Sequence, residues 1–245
     1  MLRLGFLASF SVLVACGAPT TQASAPEPDL APIPPRPVAS EKAAKTVDPN
    51  TIPNEAPPSI LTPTPNTQAA TVKGISDKLK FVSGDTPFGG AKGGASSYVG
   101  LIFRTQPAPT ALPDFTKMKP IGALYTETIG VAPSTEVVGF PGIDKARSTE
   151  FAIRYEAPLN VGTEGIYEVR LVSDDGAKLF IDEMKIIDND GVVGGTSKEG
   201  KATVHLVKAK HTIRLDYFQA TGTVALQLFI TAPGGKEEPF RTNVH

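Results

Sequence analysis

From Phe151 onward the chain alternates apolar and polar positions. Phe151, Ile153 and Tyr155 alternate with Ala152, Arg154 and Glu156. Tyr167, Val169 and Leu171 alternate with Glu168 and Arg170, and Ile213, Leu215 and Tyr217 with Thr212, Arg214 and Asp216. Val224, Leu226, Leu228 and Ile230 share one face of the run 223–230. A period of two predicts strands with one buried face. Turn signals separate them: Asp174-Asp175-Gly176, Asp190-Gly191, Gly194-Gly195 and Thr221-Gly222. No segment longer than about ten residues keeps a helical period. The pattern predicts an all-β domain, an antiparallel sandwich or barrel-like structure.

Composition divides the 245 residues into unlike segments. Residues 73–245 hold 21 of the 23 glycines and 15 of the 17 aromatic residues, enough chain for one sizeable core. Residues 17–72 hold 13 of the 23 prolines, one glycine and no aromatic residue. Such a stretch buries too little apolar surface to offset its ordering entropy and reads as a disordered tether. As polyproline II it would reach about 170 Å, and as a flexible coil about 40 Å. Residues 1–15 read as a signal peptide: Arg3 is the only charge, and an apolar core follows that is too short to span a bilayer. The sequence Leu13-Val14-Ala15-Cys16 resembles a bacterial lipobox, which implies cleavage before Cys16 and a diacylglycerol on its thiol. Acyl chains would then hold the protein on a membrane. The expected organisation is a signal peptide over 1–15, a lipidated Cys16 and linker over 16–72, a glycine-rich lead-in over 73–97 and a β domain over 98–245.

Charge and motifs exclude more than they select. Lys plus Arg is 24 and Asp plus Glu is 25, so no basic footprint for nucleic acid exists. One cysteine forms neither an internal disulfide nor a Cys-rich zinc site. Gly84 and Gly89 have the spacing of a phosphate loop, but Gly90 stands where lysine is needed. His205, His211 and His245 lack metal-motif spacing, and each reads as a surface histidine. No HExxH or GxSxG occurs, so no enzyme is expected. The acidic turns remain. Asp174 and Asp175 stand side by side between two strands. Adjacent residues of a regular strand point to opposite faces, so the pair converges only where the backbone departs from a strand. Converged, they suit calcium; otherwise they bond to backbone N–H groups of a turn. Asp188-Asn189-Asp190-Gly191 resembles a fragment of an EF-hand loop. Its three polar side chains read as additional metal ligands or as turn ligands.

A longer string is more specific. Gly165-Ile166-Tyr167-Glu168-Val169-Arg170-Leu171 is followed by Ser173-Asp174-Asp175-Gly176 and Leu179-Phe180-Ile181-Asp182. Ile187 to Gly191, His211 to Gln219 and Val224 to Ile230 come after it in order. Phe151 to Tyr155 precedes it, and Val99 to Arg104 supplies a first strand. Together these resemble the PA14 domain over about residues 98–235. The resemblance implies a β-sandwich without catalytic residues. In the adhesin branch of that family, glycans bind through a calcium ion held by an Asp-Asp pair joined by a cis peptide. That pair maps onto Asp174 and Asp175, and the cis bond turns both carboxylates to one side. The chain departs from the pattern at Glu183, where a glycine usually follows Ile-Asp, and in having no tryptophan and no Asn over 191–200.

Two functions are therefore expected. One is a carbohydrate-binding envelope lipoprotein that takes a glycan or polysaccharide through calcium. The other is a structural or protein-interaction module without metal, with an envelope protein as partner. Gly17 rather than aspartate follows Cys16, which by the common sorting pattern implies the outer membrane.

Overall fold

The computed structural model describes residues 59–66, 94, 96–134, 139–143 and 148–245. The signal peptide, Cys16, most of the linker and most of the glycine-rich lead-in lie outside them. Among the described residues thirteen strands appear in chain order: β1 (Ile60–Leu61), β2 (Tyr98–Arg104), β3 (Gly122–Thr126), β4 (Gly130–Ser134), β5 (Phe151–Val161), β6 (Gly165–Asp174), β7 (Ala177–Ile181), β8 (Met184–Asp188), β9 (Lys198–Leu206), β10 (Lys210–Gln219), β11 (Val224–Thr231), β12 (Glu237–Pro239) and β13 (Asn243–Val244). The only helical element among the described residues is a 3-10 turn, Phe115–Lys117.

The strands form two sheets. One runs β1-β9-β6-β11-β12, with β4 also paired to β11. The other runs β3-β2-β5-β10-β7-β8, with β13 beside the far end of β5. Pairing is antiparallel except for β1 on β9 and β13 on β5. The sequence periodicity explains the packing. Ile153, Tyr155 and Leu159 from β5, with Ile213, Leu215 and Tyr217 from β10, face Tyr167, Val169 and Leu171 from β6 and Leu226, Leu228 and Ile230 from β11. All are buried, so the alternating faces close on one another as a sandwich.

β2 departs from alternation because both of its faces are covered. Tyr98 and Ile102 enter the central core, while Val99, Leu101 and Phe103 join a second cluster with Phe115, Ala152 and Phe218. The chain between β2 and β3 crosses this outer face, and its Phe115 ring meets Phe103 edge-on at 5.0 Å. The apolar run Tyr98 to Phe103, interrupted only by Gly100, is the sequence mark of such double burial.

Two expectations need correction. Residues 59–66 fall in the stretch read as tether, yet they lie on the domain. Ile60 and Leu61 pair with Thr203 and Val204, Leu61 packs on the core, and Pro63 is buried. The strand stops short of Pro63, which lacks the N–H a ladder requires. His211 is not a surface residue. It is 1% exposed, with Nδ1 2.5 Å from Asp182 Oδ2 and Nε2 2.9 Å from the Val207 carbonyl. Asp182 and Glu183 form the β7–β8 turn with φ of 49° and 64°, which shows why glycine is usual there. His205 is half-exposed, 3.5 Å from Glu164.

Candidate metal and glycan site

β6 ends at Asp174, and the chain turns through Asp175 and Gly176 into β7. The Asp174–Asp175 peptide is cis, as the family resemblance implies. Both residues are buried, Asp174 at 2% and Asp175 at 0% exposure. Asp175 joins three loops. Its Oδ1 accepts from the Val193 N–H (3.0 Å) in the β8–β9 connection. Its Oδ2 accepts from the Ala220 N–H (2.8 Å) in the β10–β11 connection. Gly176 lets its own turn fit, because a Cβ there would lie 2.3 Å from Phe218 Cε1 and 2.9 Å from the Gly191 nitrogen.

Asp174 accepts from the Thr223 hydroxyl at 2.5 Å. Burial first, and then the charge of Asp175, raise its carboxyl above the ordinary carboxylate value, against the Thr223 bond. Beneath it, the Tyr217 hydroxyl lies 2.6 Å from the Asp174 carbonyl and 2.5 Å from Gln219 Oε1. The Gln219 amide donates to the carbonyls of Thr221 and Thr223, which holds the β10–β11 turn against Asp174. Thr223 and Gln219 were not singled out from sequence. The available signal was Gln219 itself, a polar residue in line with the inward-facing Ile213, Leu215 and Tyr217.

The second acidic turn is built differently. Asp188 accepts from Lys185 Nζ (2.6 Å) and from the Asp190 N–H (3.1 Å). Asp190 accepts from Lys178 Nζ (2.6 Å) and from the N–H groups of Leu112 (2.8 Å) and Gly191 (2.9 Å). Burial opposes ionisation of Asp190, but these donors hold its carboxyl below the usual value. Asn189 is 1% exposed and turns inward, its amide facing the Leu171 and Lys198 carbonyls at 3.3 Å. It bridges β6 and β9 there. Asp188 and Asp190 are thus each balanced by a lysine.

Calcium seeks six to eight oxygens. Asp174 and Asp175 fit the carboxylate part of such a set, and among the described residues neither has the lysine partner that Asp188 and Asp190 have. A third His, Cys, Asp or Glu side chain does not join them among the described residues. The remaining oxygens would have to be backbone, water or ligand oxygens.

A family model for the PA14 domain matches residues 128–241. No curated protein sequence matches the chain. Among solved structures, the chain is similar to the PA14 sugar-binding domain from an RTX adhesin, at 15% identity and a TM-score of 0.49, over 60% of this chain and 96% of that one. It is also similar to the PA14 domain of the antifreeze protein MpAFP, at 16% identity and a TM-score of 0.49, over 61% and 87%. The Epithelial Adhesin 9 A domain of Candida glabrata, in complex with Galb1-4GlcNAc, is similar at 10% identity and a TM-score of 0.43, over 67% and 92%. The fold also takes in β2 and β3, which precede the matched span. The two-sheet architecture, the Ser-Asp-Asp-Gly turn and the family match over 128–241 agree, and this chain carries a PA14 domain.

Proposed function

We propose that this protein is a non-catalytic lipoprotein of the bacterial envelope, anchored through Cys16 and placed in the outer membrane, whose PA14 domain binds carbohydrate through calcium at Asp174 and Asp175. One observation carries the reading. Two buried carboxylates stand adjacent where three loops meet, without an ion-pair partner among the described residues. Bringing like charges together away from water is unfavourable until a cation joins them. When bound, calcium would supply that charge and open coordination positions for vicinal sugar hydroxyls. The three loops would then set which glycan fits.

A different observation favours the second reading. Both oxygens of Asp175 and one of Asp174 already accept hydrogen bonds from the loops themselves. In an interaction module these bonds would shape the loops for an envelope protein, without metal. Calcium calorimetry on the full chain separates the two, followed by a glycan screen with and without EDTA. Calcium binding with calcium-dependent glycan capture supports the first reading. No heat of binding at millimolar calcium rejects it and leaves the interaction module.

A further inference from the structure

The outer face of the first sheet carries a cavity of its own. Strand register arranges the side chains of that face in rows across the strands. Ile60, Thr203, Glu168, Thr231 and Glu237 are successive partners on β1, β9, β6, β11 and β12. Lys201, Arg170 and Phe229 form the neighbouring row. Cross-strand partners share a face, so both rows look away from the core. The cavity lies along them, with a volume of about 520 Å³, and Ser59 and Leu61 line its β1 end. That volume is within the range of ligand sites. Five strands set about 4.8 Å apart make a row about 19 Å long, which suits an elongated ligand.

The charges of this face are mostly spent on one another. Arg170 donates from Nε and Nη2 to Glu237 at 2.7 and 2.6 Å, and from Nη1 to Glu199 at 3.2 Å. Its guanidinium lies 4.2 Å over the Phe229 ring. Lys201 Nζ lies 3.0 Å from Glu199. Two cations and two acids therefore cancel. Glu168 remains, exposed and without a cationic partner among the described residues, between the hydroxyls of Thr203 and Thr231. A carboxylate only accepts hydrogen bonds, whereas a hydroxyl both donates and accepts. An acceptor flanked by two hydroxyls matches a ligand rich in hydroxyl groups, and the unbalanced Glu168 repels an anion. Apolar contact is present as well. Of the five large apolar side chains left exposed among the described residues, Ile60 and Ile166 both lie on this face.

We propose that this face is a second carbohydrate-binding surface, which takes a neutral glycan chain across the strands without calcium. Glu168 accepts from adjacent sugar hydroxyls, Thr203 and Thr231 extend the hydrogen bonding to either side, and Ile60 and Ile166 meet the C–H faces of the rings. Glu168 stands six residues before Asp174 on β6, about 20 Å along the strand, so the surface is separate from the Asp pair and does not depend on it. Because Ser59 and Leu61 form part of the wall, an occupied cavity also stabilises the seated segment.

The test uses the full chain in EDTA, which silences any calcium site. Cellotetraose, maltotetraose and N-acetylated chitotetraose are titrated to millimolar concentration while nitrogen-15 NMR follows the backbone amides. At least one of them should shift the amides of Glu168, Thr203 and Thr231, and should do so equally with calcium present. Glu168→Ala removes an exposed side chain and leaves the core untouched; it should weaken that binding about tenfold. Unmoved amides with all three tetrasaccharides overturn the proposal. Equal affinity in Glu168→Ala, or tighter binding of the anionic tetragalacturonate, overturns it too. Shifts that require calcium and are confined to Val193 and Ala220 support the site at Asp174 and Asp175 alone and reject this one.

Discussion

Replacing Asp175 separates its structural work from any role in metal binding. In Asp175→Ala the Ala220 N–H, buried, and the Val193 N–H, partly buried, lose their acceptors. An orphaned buried donor costs about 1–3 kcal/mol, with the lower end applying where water can enter. Removing the carboxylate also removes its own desolvation cost, so a net loss of about 2–4 kcal/mol is expected. Asp175→Asn should fare little better. Its single oxygen serves one N–H, and its NH2 then faces the other donor. At about 2–4 °C per kcal/mol for a domain of this size, Tm falls by roughly 5–15 °C. The assay is urea unfolding followed by far-UV circular dichroism in EDTA, which removes calcium from the comparison. An unchanged m value with a lower midpoint marks a loss of stability rather than a changed unfolded state. Variants within about 0.5 kcal/mol of wild type would refute the view that Asp175 holds the three loops together.

Four further outcomes follow from the geometry. Because the Asp174 carboxyl is raised on folding, its contribution declines as pH climbs above about 4, the ordinary carboxylate range; Asp174→Asn should therefore gain on wild type between about pH 4 and pH 7 in paired urea titrations, and a constant gap would refute this. Gly176→Ala forces a methyl against Phe218 and the Gly191 backbone and should cost about 1–3 kcal/mol, read as a lower urea midpoint; an unchanged midpoint counts against the packing described. Deleting residues 59–66 removes Leu61 from the core and the Asn66 bond to Asp182, and should lower stability by about 1–3 kcal/mol in calorimetry; a neutral deletion would make the segment an adornment. Cys16→Ser should move the protein from the membrane fraction to the soluble fraction and abolish palmitate labelling; retention in the membrane would reject lipid anchoring.

The β architecture was legible because sheets with one buried face write a period of two into the chain. β5, β6, β10 and β11 emerge from that rule alone. The Asp-Asp turn was legible as a string, but its partners were not. Val193 and Ala220 contribute backbone N–H groups, which no side-chain pattern announces. His211 misled for a related reason. It follows Lys208 and Lys210 at a strand's start, where solvent is the natural expectation, and its burial depends on Asp182 arriving from another hairpin. The segment 59–66 was hidden by composition. Leu61, Pro63 and two strand pairs suffice to seat it, and an average over 56 residues of linker buries that signal.

The seated segment also determines how the domain meets mechanical load. A pull from upstream reaches Ser59 before it reaches the sandwich. Two strand residues and the Asn66 bond resist it there, whereas each core strand is held along most of its length. The segment should yield first, at a force that leaves the two sheets intact. The chain from Ser59 to Asn66 is then released, up to about 26 Å at full extension. β1 would act as a sacrificial clip, yielding before the loops around Asp174 and Asp175 feel any strain.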